Sequence, residues 1–538
     1  MMLTRRALVK HGLMCVAAAS LPAARAVAAT SARTLYNGIV LPSTWPPRYP
    51  GGRQPDVPPY LRTRPAEIPV DVGRQLFVDD FLIESTTLER RHYSPVLHHA
   101  NPILRPDREW EVDRITGNSS AMVFSDAVLW DPADRLFKLW YMARYGAGTA
   151  YATSADGVHW TKPSLDIVRG TNIVLASWRD SNTVWLDEGD SQGQRFKMIC
   201  SPSGGATTPV KFVSPDGIKW TSRGPAGATA DRSTMFFNPF IGRWVFSLRA
   251  GAGTGGDPRR RHYIEATDFD RASWTAADLV EWVSADDRDP WRADFKLRPQ
   301  LYNLDCVAYE SVLLGLFSIW RGESGTHHKH NDICVGFSRD GFHWTRPDRQ
   351  PFIGADDTIG SWRRSNVQSA GGCCLVVGSN LHFYFSARSG RPGSGDAGEG
   401  STGLAVLRRD GFVSMGTGKD GTLTTRPIRF SGRELFVNAI CRELRAEVLD
   451  QEGRSIQGLG RDECQPFRGD STAARIVWRG GRGLAQVGLN AVRLRFHITG
   501  GELFAFWVAA DAHGASRGYL GAGSPDSPSV VDTAGGKT

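Results

Sequence analysis

Hydrophobic and polar residues alternate in short runs along most of the chain, from about Gly73 to Ala510. The runs are rich in aromatic and β-branched residues and are bounded by Gly, Asp, Asn and Pro, a pattern typical of strands joined by turns. Amphipathic helical patterns are scarce. The chain is therefore predicted to be an all-β protein.

One short pattern returns four times at an almost constant interval. An aspartate is followed four residues later by a tryptophan, and the successive aspartates lie 60, 62 and 62 residues apart. The four segments are ATSADGVHW (152–160), FVSPDGIKW (212–220), TAADLVEW (275–282) and FSRDGFHW (337–344). We interpret the pattern as a turn in which Asp accepts backbone N–H bonds and Gly adopts positive φ, with Trp packed between neighbouring units. This is a scaffold role, and no chemistry is assigned to it.

Each of these segments is preceded by two strand-like runs, for example SDAVLWD and RLFKLWYMAR before the first copy. A fifth set, SAGGCCLVVGSNLHFYFSARSG followed by STGLAVLRRDGF, has the same order and ends in Asp410 and Gly411 without the tryptophan. A period near 60 residues with several strands per unit is typical of a β-propeller blade. The sequence thus predicts a five-bladed β-propeller followed by a β-sandwich domain.

The domain boundaries follow from changes in composition. Residues 1–29 hold a twin arginine, an apolar stretch and an Ala-x-Ala ending at Ala26, which predicts a twin-arginine export signal rather than a membrane anchor, because the apolar run is too short to span a bilayer. The expected protein is periplasmic or extracellular and has no membrane contact after signal removal. The other predicted segments are a Pro-rich arm or linker (30–72), the propeller (73–415), the sandwich (416–510) and a disordered tail (511–538).

Charge and cysteine content exclude several functions. The net charge of +8 falls to about +4 without Arg5, Arg6, Lys10 and Arg25 of the leader, and no basic run remains, so a nucleic-acid partner is not expected. Seven cysteines follow the leader in no zinc-like spacing, which favours buried free thiols and leaves one or two disulfides open. No phosphate-binding loop or nucleophile elbow is present. No cofactor is predicted.

Several segments resemble a large group of exported bacterial proteins related to the invertase-like five-bladed propeller glycoside hydrolases. They include GRQLFVDDFLIE (73–84), HHANPILRPDREWE (98–111), NPFIGRWVFSLR (238–249), LYNLDCVAYESVLLGLFSIWRG (301–322) and GTLTTRPIRF (421–430). The resemblance spans about residues 75–508, and the chain is more distantly similar to mannoside phosphorylases and arabinan-degrading enzymes. It implies a carbohydrate substrate bound at the mouth of the propeller channel.

The motifs that carry catalysis in the characterised invertase-like enzymes are absent. Those enzymes use an Asn-Asp-Pro-Asn-Gly segment, an Arg-Asp-Pro and a Glu-Cys, and none of the three occurs here. Catalytic residues must therefore be predicted from the expected position of each acid in the propeller.

Glycoside hydrolysis requires two carboxyl groups, one protonated and one ionised. In the innermost strand of each blade, the expected inward position falls on Asp126, Asn182, Ser233 and Asp305, and near Gly372 in the fifth unit, with Gln368 just before it. Asp305 is the leading catalytic candidate, because it lies between apolar neighbours. Asp126 is a second candidate, whose alternative is a solvated strand-start acid, and Asn182 and Gln368 are candidate substrate-binding residues.

Three further acids are less firmly placed. Glu310 falls in the first turn of its unit, but a shift of register would bring it into the channel, so it remains a catalytic candidate beside a turn role. Asp231 precedes the first strand of the third unit and would lie at the mouth. Asp80 could reach into the channel from the start of the propeller as a substrate-binding residue; a strand-end turn is the alternative.

Basic residues complete the candidate set. Arg114 and Arg249 could orient a carboxylate or bind an acidic sugar, although salt bridges between blades are the more common role of such arginines. THHKHND (326–332) holds His327, His328 and His330, for which a polar loop is favoured over a surface metal site, so no metal is predicted.

The leading hypothesis is an exported glycoside hydrolase-like enzyme that cleaves an oligo- or polysaccharide at the channel mouth. Asp305 and one of Glu310, Asp231 or Asp126 would form its acid and base pair. The alternatives are a non-catalytic carbohydrate-binding or surface-interaction propeller, and a glycoside phosphorylase or polysaccharide lyase on the same scaffold. The sequence leaves the sugar and the oligomeric state open.

Overall fold

The computed structural model describes residues 33–48, 52–202, 208–254 and 256–535. The predicted export signal (1–29) lies outside these ranges. Within them almost all regular structure is β, and no helix is long and apolar enough to cross a bilayer. The fold is the predicted all-β one, a five-bladed propeller joined to a second β domain.

The chain before the first blade contributes elements to both parts of the molecule. Leu35, Ile39 and Leu41 of the Pro-rich arm are buried in the core of the C-terminal domain. The elements that follow are α1 (Pro59–Arg62), β1 (Ile68–Pro69), β2 (Gln75–Leu76), β3 (Ile83–Thr86), β4 (Glu89–His92) and β5 (Val96–Leu97). The arm therefore packs along the surface of the folded domains.

The blades are antiparallel sheets made from strands that follow one another in the chain. Blade 1 contains β6 (Ser120–Asp131), β7 (Leu136–Ala143), β8 (Gly148–Ser154) and β9 (Ile173–Leu175); blade 2 contains β10 (Arg179–Leu186), β11 (Phe196–Pro202), β12 (Val210–Ser214) and β13 (Thr221–Pro225). Blade 3 contains β14 (Thr234–Asn238), β15 (Arg243–Ala250), β16 (Arg260–Ala266) and β17 (Val280–Ser284); blade 4 contains β18 (Gln300–Glu310), β19 (Val312–Ser324) and β20 (His327–Ser338); blade 5 contains β21 (Ser365–Val377), β22 (Asn380–Arg388) and β23 (Gly400–Arg408). Short 3-10 turns occur at Glu109–Glu111, Ala276–Asp278, Arg479–Gly481 and Leu484–Gln486.

The ring is closed by pairing between its two ends. β5, from the segment before blade 1, pairs antiparallel with β23 of blade 5, and β23 also pairs with β6 at Gly400 and Ser120. The first strand of every blade (β6, β10, β14, β18 and β21) lies at the centre, where these five strands contact one another. Side chains at the starts of these strands therefore come from distant parts of the chain and meet at one opening.

The repeated Asp-Gly segments form the predicted turns. Oδ1 of Asp156 accepts the N–H groups of Val158 and His159 at 2.8 Å each, and Gly157 has φ of 77°. The turns after Asp216 and Asp340 have the same bonds. Each turn also accepts a bond from a neighbouring blade, as when Trp140 Nε1 donates to the carbonyl of Gly217 at 2.7 Å. The copy at Asp278 differs and forms a 3-10 turn capped by Thr275.

The C-terminal domain is built on long strands. β24 (Val413–Thr425), β26 (Glu434–Leu449), β27 (Phe467–Ile476) and β28 (Arg493–Ala509) form one sheet with β2, β3 and β4, and β25 (Ile428–Arg429) pairs with β1. Register shifts interrupt β24 and β26, and such bulges bend a strand, so the sheet can curve around one apolar core. The predicted boundary at 415–416 falls inside β24.

The prediction of a disordered tail is wrong for residues 511–535. β29 (Tyr519–Leu520) pairs with the end of β18, and Ser516 and Asp532 are buried in a cluster of charged residues. Composition alone suggested disorder, but small residues allow this segment to pack closely against blade 4; Gly518, for example, lies against Glu310. All seven described cysteines are buried and free, as expected.

Candidate functional site

Side chains of the five central strands fill the axis of the propeller. Asn303 Nδ2 of blade 4 donates to Ser125 Oγ of blade 1 at 3.3 Å, and Arg232 Nη1 of blade 3 donates to Gln368 Oε1 of blade 5 at 2.8 Å. The Arg232 guanidinium also lies 3.4 Å from the centre of the Phe124 ring. These contacts join non-adjacent blades across the axis, so a ligand first meets the channel at its mouth.

Asp305, the leading candidate, lies at the axis and is only 2% exposed. Its Oδ2 accepts bonds from Asn303 Nδ2 at 3.0 Å and from Ser369 Oγ of blade 5, whereas its Oδ1 has no partner among the described residues. Burial raises the pKa of Asp305 to about 7, although Ser369, Arg261 and Asn303 oppose the shift. A carboxyl group with this pKa is partly protonated near neutral pH, as a general acid must be.

Asp126 and Asn182 lie in the seam between blades 1 and 2. Oδ2 of Asp126 pairs with Arg179 Nη1 at 2.9 Å, and both side chains are fully buried. Burial raises the pKa of Asp126 to about 6, opposed by Arg179. Asn182 Nδ2 donates to Thr149 Oγ1 at 2.6 Å. These contacts join the two blades, and Oδ1 of both Asp126 and Asn182 has no hydrogen-bond partner among the described residues. The catalytic role of Asp126 and the substrate-binding role of Asn182 stay predictions.

Asp231, Arg249 and Gln368 reach the mouth or the axis. Asp231 is paired with Arg249 at the start of blade 3, and its side chain is 33% exposed. Gln368 accepts the bond from Arg232 described above and donates to Asn366 Oδ1 at 2.9 Å. Arg114 is exposed in the loop before β6.

Glu310 and Asp80 do not lie at the mouth, and both predictions are corrected. Glu310 is at the opposite end of β18, five residues or about 16 Å along the strand from Asp305. It accepts bonds from Arg409 Nη2 at 2.9 Å and Ser516 Oγ at 2.8 Å. The expectation of a turn at Glu310 is the correct one. From Asn303 onward, β18 pairs with β19 without a register shift up to the turn after Glu310. Asp80 is an exposed acid paired with Arg90, at the junction with the C-terminal domain.

The mouth is formed by residues that sequence reasoning missed. Their charges and rings interact with one another, and they come from all five blades: Tyr145 (blade 1), Asp180 (blade 2), Arg232 (blade 3), Tyr302 and Lys329 (blade 4), and Arg388 (blade 5). Trp178, directly before β10, is 66% exposed and lies against Gly146, next to Tyr145. Exposed aromatic rings at a channel mouth suit stacking on sugar rings.

Tyr302 is the most perturbed of these side chains. Burial raises the pKa of its phenol, but Arg232 and Lys329 more than compensate, and the pKa falls to about 8. Lys329 Nζ donates to the phenol oxygen at 3.2 Å. Tyr302 is therefore a potential proton acceptor at mildly alkaline pH.

A periodic signal in the sequence could have revealed one of the missed residues. In four blades an arginine lies at or within three residues of the end of the second strand: Arg144, Arg249, Arg321 and Arg388. Arg249 pairs with Asp231, and Arg321 pairs with Asp332 at 3.1 Å. Arg388 is only 1% exposed and has no ion-pair partner among the described residues. The repeated arginine can be found in the sequence. Which of its copies has an acidic partner can be seen only in the folded structure.

The histidines of the 326–332 segment form a compact group. Atoms of His327, His330 and Asp357 lie within 4.8 Å of one another. Arg292 Nη1 lies 2.9 Å from His330 Nδ1 and 2.8 Å from Asp357 Oδ2. A metal ion here would have to displace a guanidinium that already supplies the positive charge.

A cavity lies toward the opposite end of the channel from this mouth. It encloses about 660 Å³ between blades 2 and 3 and the C-terminal segment, and it is lined mainly by apolar side chains. Its lining includes Trp185, Phe237, Trp244, Tyr519 and Lys197. Asp305 does not line it, so the cavity is separate from the candidate site.

The fold and this arrangement define a five-bladed propeller with a charged, aromatic channel mouth. Similar solved structures include a glycosyl hydrolase from Bacteroides ovatus, with 15% identity over 62% of this chain and 97% of that one and a TM-score of 0.40. A fructofuranosidase from Schwanniomyces occidentalis complexed with fructosylnystose has 12% identity over 77% and 97% of the two chains and a TM-score of 0.36. A β-1,2-mannobiose phosphorylase from Listeria innocua has 12% identity over 58% and 96%, with a TM-score of 0.37.

Both groups that the sequence resembles, the invertase-like enzymes and the mannoside phosphorylases, are represented among these structures. No model of a known protein family matches the chain, and no curated protein matches it. Since the identities are low, function has to be argued from the site itself.

Proposed function

We propose that the protein is an exported enzyme of the glycoside hydrolase type that cleaves a glycosidic bond of an oligo- or polysaccharide at the channel mouth. The observation that carries the proposal is Asp305, a buried carboxyl group with a pKa of about 7 and one oxygen without a hydrogen-bond partner, directly behind a mouth lined by aromatic and charged residues. An acid in this state can donate a proton to a leaving oxygen near neutral pH.

The second carboxyl group in this proposal is Asp180. It lies at the start of β10 with its side chain 18% exposed, beside Arg232, and its charge acts on Tyr302 and Arg388 across the mouth. It takes the place of Glu310, which is bonded at the junction with the C-terminal domain. In hydrolysis, Asp305 would protonate the departing oxygen as the glycosidic C–O bond breaks, and Asp180 would take the proton of the attacking water.

The axis has to admit the substrate for this reaction. Arg232 and Gln368 are bonded across the axis, and Gln368 directly precedes Ser369, the donor to Asp305. We propose that the Arg232–Gln368 hydrogen bond opens when the substrate enters, so that a leaving oxygen can reach Asp305. This requirement predicts that Gln368→Ala alters the apparent affinity for substrate more than it alters the protonation of Asp305.

The test is a broad glycan panel assayed with the purified mature protein for release of reducing ends. Asp305→Asn and Asp180→Asn should each lower kcat by at least about 100-fold. Asp462→Asn, an exposed aspartate far along the chain, is the matched control and should leave kcat unchanged. Full activity of Asp305→Asn on a cleaved glycan would remove Asp305 from catalysis, and absence of cleavage with retained glycan binding would favour the non-catalytic alternative.

One observation favours a second candidate, a polysaccharide lyase. Tyr302, with a pKa of about 8, could take the proton next to the carboxylate of a uronic acid, with Arg388 neutralising that carboxylate. A C=C bond would form as the C–O bond to the next sugar breaks, and the released oxygen would be protonated. An unsaturated product, and loss of activity in Tyr302→Phe with activity retained in Asp305→Asn, would identify this reaction.

A further inference from the structure

Arg388 is a buried cation without a counter-ion. All three of its guanidinium nitrogens lack a hydrogen-bond partner among the described residues, and the side chain is 1% exposed. Its guanidinium carbon lies 4.1 Å from the centre of the Tyr145 ring. Buried charges are normally paired and hydrogen-bonded, because the loss of water costs several kcal/mol for each unpaired ion. An unpaired guanidinium at a channel mouth therefore indicates a missing anion.

The surroundings of Arg388 are also positive. Arg232, a second buried cation of the mouth, acts on the charge of Arg388. Asp180 is the acid whose charge reaches Arg388, and it is shared with Arg232. The neighbouring His328 is neutral, because burial and then Arg388 lower its pKa to about 3. The cations at this position thus outnumber the carboxylates.

The chemistry of Arg388 selects the ligand. A guanidinium binds carboxylate and sulfate oxygens in a two-pronged geometry, and Tyr145 on one of its faces fixes the plane of the fork. The exposed rings of Tyr145 and Trp178 border the same opening and offer apolar surfaces for a sugar. An anion fixed to a sugar can use both features at once, whereas a free inorganic anion can use only the charge.

We propose that Arg388 binds an oxyanion carried by the substrate sugar, either the carboxylate of a uronic acid or a sulfate ester. The inference rests on the proposed function for the statement that the ligand is a substrate. The binding site itself stands on the unpartnered, buried arginine and can be tested without turnover.

The experiment is calorimetric titration of the full-length mature protein with three sugars of the same size: a galacturonate oligomer, a sulfated galactose oligomer and a neutral galactose oligomer. At least one acidic sugar should bind, and its Kd should be 10- to 100-fold weaker for Arg388→Gln. Inorganic phosphate alone is the fourth arm. Arg454→Gln, a 73% exposed arginine in the C-terminal domain, is the matched control and should bind like the wild type.

Stability without ligand provides the second readout. If Arg388 is an unpaired charge waiting for an anion, then Arg388→Gln should fold and have a Tm equal to or above that of the wild type. A marked fall in Tm would show that Arg388 has a structural partner and would overturn the inference. So would equal binding of acidic and neutral sugars, unchanged binding by Arg388→Gln, or binding of phosphate alone.

The two proposals fail in different ways. Binding of an acidic sugar that depends on Arg388, with no cleavage, would keep this inference and reject the hydrolase. Cleavage of a neutral glycan with unchanged kcat and KM in Arg388→Gln would keep the hydrolase and reject this inference.

Discussion

Strand β18 carries two buried acids in opposite situations, Asp305 at its midpoint and Glu310 as its last residue. Glu310, at the end next to the C-terminal domain, accepts bonds from Arg409, Ser516 and the backbone N–H of Arg74. Asp305, toward the mouth, is bonded through one oxygen only, and its other oxygen has no partner. The two acids therefore differ in whether both of their carboxylate oxygens have hydrogen-bond partners.

The arginines near the two acids differ in the same way, because those near Glu310 have acidic partners and, among the described residues, one at the mouth does not. Around Glu310, Arg74 and Arg409 are matched by Asp410 and Asp532, which also accept bonds from them. At the mouth, Arg388 has no such partner among the described residues. The paired end joins two domains and the C-terminal segment, and the unpaired end faces the opening. The two ends therefore differ in whether their buried arginines all have carboxylate partners.

The largest expected effect is a loss of stability at the end of the propeller where Glu310 is paired with arginines. Glu310→Ala should lower the free energy of unfolding by about 5 kcal/mol, because it removes the acceptor of Arg409, Ser516 and the Arg74 N–H in a buried setting. Chemical denaturation at neutral pH measures this loss. Glu452→Ala is the control, a 63% exposed glutamate that should cost no more than about 0.5 kcal/mol. A similarly small loss for Glu310→Ala would erase the contrast between the two ends.

The second effect concerns the pH dependence of stability at the unpaired end. The pKa of Asp305 is raised from 3.8 to about 7, so the folded state holds more protons than the unfolded state between these values. The contribution of Asp305 to the free energy of unfolding is therefore fully present below pH 4, and it falls by about 4 kcal/mol as the pH rises to 7. Asp305→Asn should remove this contribution, so the difference in unfolding free energy between variant and wild type should grow in favour of the variant from pH 4 to pH 7. A constant difference would show that Asp305 titrates normally.

The fold could be read from the sequence because each blade is specified locally. Asp156, Asp216 and Asp340 bind the backbone two and three residues ahead, and glycine next to each takes the positive φ that the turn requires. Repetition of such local signals at a fixed interval determines the number of blades. Local chemistry also explains why Glu310, placed first in a turn, is found there.

The site could be predicted only in part, because it depends on long-range contacts. Asp305 was placed correctly at the axis, since strand alternation determines which side chains point inward. Arg388 was missed because it shares its strand position with Arg249 and Arg321, and only the folded structure shows that those two have acidic partners. The tail at 511–535 was missed for the same reason, since its few apolar residues pack against a surface made elsewhere.

A smaller loss of stability is expected when Glu310 loses a single hydrogen-bond donor, Ser516. Ser516 Oγ donates to Glu310 at 2.8 Å and to Asp532 at 3.0 Å, in a buried position. Ser516→Ala should lower the free energy of unfolding by about 2 kcal/mol, because two charged acceptors lose a donor. Chemical denaturation again gives the value. Ser529→Ala, in the same C-terminal segment but bonded to backbone carbonyl and N–H groups only, is the control and should lose less.

The smallest effect is expected from Ser369, which donates to Asp305 as Ser516 donates to Glu310. Ser369 Oγ donates to Asp305 Oδ2, and this bond lowers a pKa that burial raises. Ser369→Ala should therefore move the titration of Asp305 above pH 7, so the loss of stability with rising pH would extend to higher pH than in the wild type. Thermal unfolding across pH 4 to 9 measures the shift, and Ser386→Ala, a buried serine of the same blade that bonds only a backbone carbonyl, should leave the curve in place. If the midpoint does not move, Ser369 does not stabilise the ionised form, and the hydrogen-bonding of Asp305 has to be reassigned. If it moves as expected, one hydroxyl group adjusts the pH at which the proposed acid is protonated, and the serine at Glu310 serves stability alone.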